Sequence, residues 1–287
     1  MNVVMIHLGG EIPSHFWIAL GQAMKKSNKV YAIVPDNQTD DPRLSGVKVS
    51  PQSRYSSHKI VTEKANSWIG ETYGSFWGHA LDRLFYLEAL IKDQNLLNVI
   101  HIENDVLIYP QLSEIEPALS KAYVNRIAIN SVGEKYASAA FIFIPNCEVL
   151  SFMNQKLVDL LAKGKEYLME RIGESMVNEM LLLQIVAIEN PEFVGFLPSL
   201  PWHEHAKEIG YLFDSASYGQ YLYGTGANNP GWTGDHHHVG RAINNRKIDV
   251  YMPMSVDTFP TVEAKADGTF FRLANLHMHC KQLEQAL

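Results

Sequence analysis

Hydrophobic positions in the first hundred residues alternate between continuous runs and helical stripes. Residues 3–8 form an apolar run of the kind found in strands buried on both faces, and Gly9-Gly10 ends it. Pro13-Ser14 then opens a helix in which Phe16, Ala19, Leu20, Ala23 and Met24 share one face. Residues 29–34 are a second β-branched run, stopped by Pro35-Asp36-Asn37, and residues 47–49 read as a short third strand. The longest stripe, Trp77, Leu81, Leu84, Leu87 and Ile91, predicts a helix over residues 77–92 that leads into a buried strand over 99–102. Strand–helix–strand repetition calls for right-handed crossovers and gives a largely parallel sheet. The expected fold class is therefore α/β, a mostly parallel central sheet flanked by helices.

Beyond residue 125 the pattern is mixed. Residues 126–131 alternate, and residues 139–144 are apolar up to Pro145-Asn146. Helices are expected over 148–162 and 174–188, and a final strand over 270–279. Between residues 191 and 260 Gly and Pro are frequent, which predicts long loops over one face, with His236-His237-His238 in a mobile polar loop. No repeat or linker divides the chain, so one domain over 1–287 is expected.

Composition narrows the function classes. With 46% hydrophobic and 19% charged residues, a chain of 287 residues can bury a substantial core, which argues against wholesale disorder. The formal net charge is −7 and no dense Lys/Arg run occurs, so a nucleic-acid partner is set aside. Cys147 and Cys280 have no metal-type spacing and cannot form a disulfide framework, which fits a cytoplasmic location. No apolar stretch approaches the ~20 residues of a membrane helix, while peripheral membrane association stays open.

Candidate chemistry gathers at the expected strand ends. In parallel sheets ligands sit beyond the carboxyl ends of the strands, where Gly9, Asp36 and Glu103-Asn104-Asp105 all fall. In an extended segment Glu103 and Asp105 point the same way, and two converging carboxylates suit a hard divalent ion such as Mn²⁺ or Mg²⁺. Read blandly, they are two solvated loop acids. Far along the chain His277 and His279 share one face of the last expected strand, and an imidazole can complete a site that carboxylates begin. Phe213-Asp214-Ser215-Ala216-Ser217-Tyr218-Gly219-Gln220-Tyr221-Leu222 offers hydrogen-bonding groups and aromatics suited to sugars. Asp214 reads equally as a group that orients or deprotonates an acceptor hydroxyl and as a helix N-cap.

The stretch Phe76-Trp-Gly-His-Ala-Leu-Asp-Arg83, followed by Asn98-Val-Ile-His-Ile-Glu103-Asn104-Asp105, resembles the donor-binding half of GT-A-fold glycosyltransferases. In that family a helix carrying an arginine precedes a strand that ends in an Asp-x-Asp-type motif. The resemblance implies that Arg83 contacts a nucleotide sugar and that Glu103 and Asp105 bind the metal. Glu at the first position departs from the pattern and leaves Asp105 the firmer ligand. His277-Met278-His279-Cys280-Lys281 is similar to the family's C-terminal His…Lys element, with His279 preferred as ligand and Lys281 facing the departing diphosphate. The segment from Phe213 resembles a Phe-Asp-x-Ala-x-x-Gly-Gln-Tyr-Leu stretch of bacterial glycosyltransferase-like proteins, which places Gln220 against the transferred sugar. Glu179 lies on a helix placed like the one that carries a catalytic or sugar-binding acid.

These likenesses imply a sugar transferred from a nucleotide-diphosphate donor to a glycan or other small hydroxyl acceptor. Residues 1–125 form the donor half, in which Leu8, Gly9, Asp36 and Asn104 join Arg83 around the nucleotide, and residues 126–287 form the acceptor half. Two other readings remain. A sugar-nucleotide nucleotidyltransferase normally needs a basic, Gly-rich loop after the first strand, where this chain has His7-Leu8-Gly9-Gly10-Glu11. A non-catalytic sugar-binding module would use the aromatic loops alone.

Overall fold

Strands β1 (Asn2–Ile6), β2 (Val30–Val34), β3 (Lys48–Pro51) and β4 (Val99–Ile102) run parallel in the order β3-β2-β1-β4. The computed structural model describes residues 1–58, 75–173, 177–225, 237–252 and 258–287. Later in the chain come β5 (Val106–Ile108), β6 (Ile127–Ser131), β7 (Ala137–Ile144) and β8 (Val194–Leu197). Three of these extend the sheet to seven strands, β3-β2-β1-β4-β7-β6-β8. Only β7 runs against the rest, pairing antiparallel with both β4 and β6. A loop of five residues joins β6 to β7, closed by Val132 N–H on the Tyr136 carbonyl at 2.9 Å. That is too short for a crossover, so the chain must fold back as a hairpin.

Helices cover both faces, as the periodicity predicts. Along β1, Val3 and Met5 enter one core while Val4 and Ile6 enter the other. Helix α1 (Ser14–Lys26) fills the first with Phe16, Ala19, Leu20 and Ala23, and α2 (Ser75–Gln94) fills the second with Leu81, Leu84, Leu87 and Ile91. Helix α3 (Leu112–Ala122) adds Leu112, Ile115 and Leu119 to the first core. Helices α4 (Cys147–Leu161), α5 (Lys165–Ile172) and α6 (Glu179–Glu189) pack on the second. The helix expected over 174–188 begins at Glu179, where the Asn178 side chain caps it by accepting from Leu181 N–H at 3.0 Å; residues 174–176 lie outside the described residues.

Where the region expected to be long loops is described, it forms short elements instead. It holds α7 (Ala206–Ile209), β9 (Tyr211–Leu212), α8 (Ser217–Tyr223), α9 (His238–Asn244) and β10 (Ile248–Tyr251). Gly and Pro there punctuate elements of two to seven residues, too short to show a period. His236 lies outside the described residues, and His238 opens α9.

The single last strand over 270–279 is two. Strands β11 (Thr261–Ala264) and β12 (Thr269–Leu273) complete a second sheet, β10-β11-β12-β9, whereas β13 (Asn275–His277) pairs antiparallel with β5. The change of partner falls on Ala274, whose N–H bonds the Leu212 carbonyl at 2.8 Å and whose carbonyl accepts from Tyr109 N–H at 2.9 Å. An unbroken apolar alternation cannot show which sheet a strand joins. Among the described residues, no helix is long and apolar enough to cross a membrane.

The His238 ring, its Nε2 2.6 Å from Ser199 Oγ, fixes α9 to the loop after β8. Burial, with Arg241, His237 and His203 nearby, lowers its pKa from 6.5 to about 4. The unfolded chain therefore binds the proton more readily between these values, so this contribution is complete above pH 6.5 and is lost as pH falls towards 4. In urea melts the stability advantage of the wild type over His238→Gln should shrink from pH 7.5 to pH 4.5; an advantage independent of pH would show that the buried ring is not responsible.

Candidate functional site

The two acids stand in a tight turn between buried strands. Glu103 N–H bonds the Ala140 carbonyl at 3.0 Å as β4 ends, and Val106 N–H closes the turn on the Glu103 carbonyl at 3.2 Å. The carboxylates therefore converge through the turn and not through the pleat of an extended strand. Strand β13 lies across this turn with His277 opposite Val106. His277 Nε2 stands 3.4 Å from Glu103 Oε2 and 3.2 Å from Asp105 Oδ2. Met278 N–H bonds the Asp105 carbonyl at 2.8 Å, and the chain then turns through a left-handed Lys281, φ +60°, whose ammonium pairs with Asp105. From α2, Arg83 pairs with Glu103.

This is a cluster of compensated charge. Burial pushes the Glu103 pKa up, but Arg83 and His277 outweigh it and leave it lowered. Burial likewise opposes ionisation of Asp105, and His277 with Lys281 hold that carboxyl well below the ordinary range. Burial would neutralise His277, yet Asp105 and Glu103 raise it to about 9. Glu179, at the start of α6 and buried, goes the other way: burial first and then the Glu103 charge push it up to about 8. At neutral pH it keeps its proton and can donate a hydrogen bond.

One oxygen each of Glu103 and Asp105 and one His277 nitrogen lie within 4.8 Å of one another, the one such group of three or more potential ligands among the described residues. Two carboxylates and an imidazole fit a divalent ion. His279 stands outside this set, although its ring lies 4.6 Å from that of His277. Its Nδ1 is 2.9 Å from Gln220 Nε2, and burial followed by the His277 charge lowers its pKa to about 3. Of the two histidines, His277 and not the preferred His279 faces the acids. Strand β13 ends at His277, so the two do not share one strand face.

The residues expected on the donor side gather at the carboxyl ends of β1, β2 and β4. Leu8 is buried, and Gly9 has φ +106° with the His79 ring packed where a side chain would start. That conformation and that neighbour both call for glycine. Asn104 Nδ2 stands 2.9 Å from His7 Nδ1, which ties the acidic turn to the end of β1, while the buried Asn104 Oδ1 has no partner among the described residues. Asp36 is exposed, and its Oδ1 accepts from Ser53 N–H at 3.2 Å and Ser53 Oγ–H at 2.7 Å.

Asp214 is placed differently from a group that meets an acceptor. It is fully buried, Oδ1 accepting from Ala216 and Tyr218 N–H (both 2.9 Å) and Oδ2 from Gly219 N–H (2.8 Å) and His277 N–H (3.0 Å). Four amides occupy the carboxylate, and no face is left for a sugar hydroxyl. The N-cap position itself is Ala216, and Asp214, two residues earlier, serves the amides of Tyr218 and Gly219 in the first turn of α8.

Sequence reasoning passed over His7 and His15. Both rings have lowered pKa values, chiefly through burial, and His15, in the first turn of α1, feels the charges of Asp105 and Lys281. A polar ring closing an apolar run was the available signal for His7; nothing in the pattern marked His15.

No protein-family model and no curated protein matches the chain. Among solved structures it is similar to apo mouse xyloside xylosyltransferase 1, with 10% identity, 72% of this chain and 91% of that one covered, and a TM-score of 0.46. The PaToxG glycosyltransferase is 12% identical over 66% of this chain and 68% of its own, with a TM-score of 0.42. The glycosyltransferase GlyE of Streptococcus pneumoniae TIGR4 is 16% identical over 69% of this chain and 46% of its own, with a TM-score of 0.37, so the chain spans under half of its length.

Gly219 leaves no room for a side chain: an added Cβ would fall on the His277 carbonyl and lie 3.1 Å from Asp214 Oδ2. Gly219→Ala should cost roughly 1–3 kcal/mol or more in urea unfolding. Gly21→Ala, in open space on α1, should instead gain about 0.5–1 kcal/mol. Equal effects of the two would contradict the packing of α8 on β13.

Proposed function

We propose that the chain is a metal-dependent glycosyltransferase using a nucleotide-diphosphate sugar. The observation that carries this reading is the meeting of Glu103 and Asp105 with His277 and Lys281, which lie some 170 residues further on. Glu103, Asp105 and His277 would hold Mn²⁺ or Mg²⁺. A divalent ion held there would supply positive charge to offset that of the leaving diphosphate.

The chain's own groups take the remaining tasks. The Lys281 side chain is about half exposed, so its ammonium can leave Asp105 and meet the diphosphate as a point charge. Arg83 keeps Glu103 ionised and turned into the site, and it borders the donor phosphates. Leu8, Gly9 and Asn104 line the nucleoside side, with the unpartnered Asn104 Oδ1 ready to accept from a ribose hydroxyl or a base N–H. Asp36 lies farther out on that side. Gln220, fixed against His279, and the protonated Glu179 offer hydrogen bonds to the transferred sugar. Residues 1–125 and 126–287 act in this scheme as donor and acceptor halves of one unit, the acceptor being a glycan or another hydroxyl compound.

Calorimetry should show nucleotide-sugar binding that requires Mn²⁺ and disappears in Asp105→Ala, with the fold intact by circular dichroism. Unchanged binding in that variant would sink the metal assignment. Incubation with donor sugars and Mn²⁺ should release nucleoside diphosphate. Pyrophosphate in its place would point to nucleotidyl transfer, and metal-independent glycan binding without turnover to a sugar-binding module.

A further inference from the structure

The turn Asp214-Ser215-Ala216-Ser217 is costly to fold. Ala216 has φ +136° and ψ −15°, a region that residues with a side chain rarely enter. Ser215 and Ser217 are both buried, and their hydroxyls have no hydrogen-bond partner among the described residues. Strain and unpaired groups persist only where the surroundings over-determine them.

Here the surroundings converge on one residue. Beyond its four carboxylate bonds, Asp214 donates from its N–H to Asn275 Oδ1 at 3.1 Å. Its carbonyl accepts from Asn130 Nδ2 at 2.8 Å and from Asn275 Nδ2 at 2.9 Å. Asn130 is on β6, Asn275 and His277 are on β13, and Tyr218 and Gly219 are on α8. Every polar main-chain and side-chain atom of Asp214 is thus engaged, and the bonds join three elements that share no other strand pairing. Two of those elements carry groups of the candidate site: His277 itself, and Gln220, one residue beyond Gly219.

We infer that Asp214 is the positioning residue of the metal site, holding His277 at its main-chain N–H so that the imidazole meets Glu103 and Asp105. The inference rests on the proposed metal-binding role of that cluster. It gives the motif beginning at Phe213 a task in assembling the centre: Asp214 ties α8 to β13, Gly219 permits their contact, and Gln220 steadies His279 beside the ligand.

Asp214→Asn tests this, since an amide NH₂ in place of one oxygen faces backbone donors that it cannot accept from. Calorimetric Mn²⁺ affinity should fall about 10–100-fold, the usual effect of losing support behind a ligand. Hydrogen exchange at the His277 amide should accelerate. A core control, Leu157→Ala in α4, should lower stability and leave Mn²⁺ affinity unchanged, which a merely structural role for Asp214 would also predict of Asp214→Asn. A folded Asp214→Asn protein that binds Mn²⁺ like the wild type overturns the inference.

If that variant does not fold, Asn130→Ala decides: it removes one bond to the Asp214 carbonyl and should weaken Mn²⁺ about threefold, and wild-type affinity in it overturns the inference. Failure of the wild type to bind Mn²⁺ would strike the proposed function instead. The exchange measurement then decides on its own, since an unprotected His277 amide in the wild type refutes positioning.

Discussion

Two ionised carboxylates two residues apart cannot be buried at the end of a strand without positive charge beside them. Each repels the other, and each loses hydration. The architecture around Glu103 and Asp105 answers that constraint from three directions: Arg83 from a helix that precedes the strand, His277 from a strand near the end of the chain, and Lys281 from the turn after it. A divalent ion would satisfy the same demand more compactly, which is why a cluster of ion pairs and a metal site can be one set of residues. For the neighbouring Glu179 burial and the Glu103 charge outweigh the pull of Arg83 and His277, and it answers the constraint by keeping its proton.

Much of the framework is legible in the sequence because it rests on local periodicity. The runs that became β1, β2 and β4 and the stripes of α1 and α2 each state their burial within one or two turns of chain. The acidic pair was legible for the same reason, as charge where an apolar run stops. What was not legible depends on distant partners. Nothing near residue 274 announces that the chain leaves one sheet for another, and nothing near Asp214 announces four amides, one of them on a strand more than 60 residues away. The carboxylate looks available in sequence because carboxylates usually are; only the tertiary bonds show that its acceptor capacity is spent. The resemblance does not separate His277 from His279 by spacing, and the choice between them depends on the pairing of β13 with β5, which sets His277 against the acids.

The seven-stranded sheet also explains why the site lies where it does. Three parallel strands, β2, β1 and β4, end side by side, and the loops after them carry Asp36, Gly9 and Glu103 in that order along the sheet. The one reversed strand of this sheet, β7, lies beyond β4 and links it to β6 and β8. Its neighbour β6 brings Asn130 to the same end, against the second layer of structure that carries Asp214 and β13.

Ala274 joins these layers covalently. Its two backbone groups belong to different sheets, and two residues separate it from the imidazole that faces the acids. Side chains along β13 alternate in direction, so adding or deleting a single residue at this junction would turn that imidazole to the opposite face. The outer strands β10 to β12 can therefore exchange surface residues and lengthen their loops freely, while the count of residues from Leu273 to His277 stays fixed. Variation between related chains should pool on that outer layer and stop abruptly at the junction.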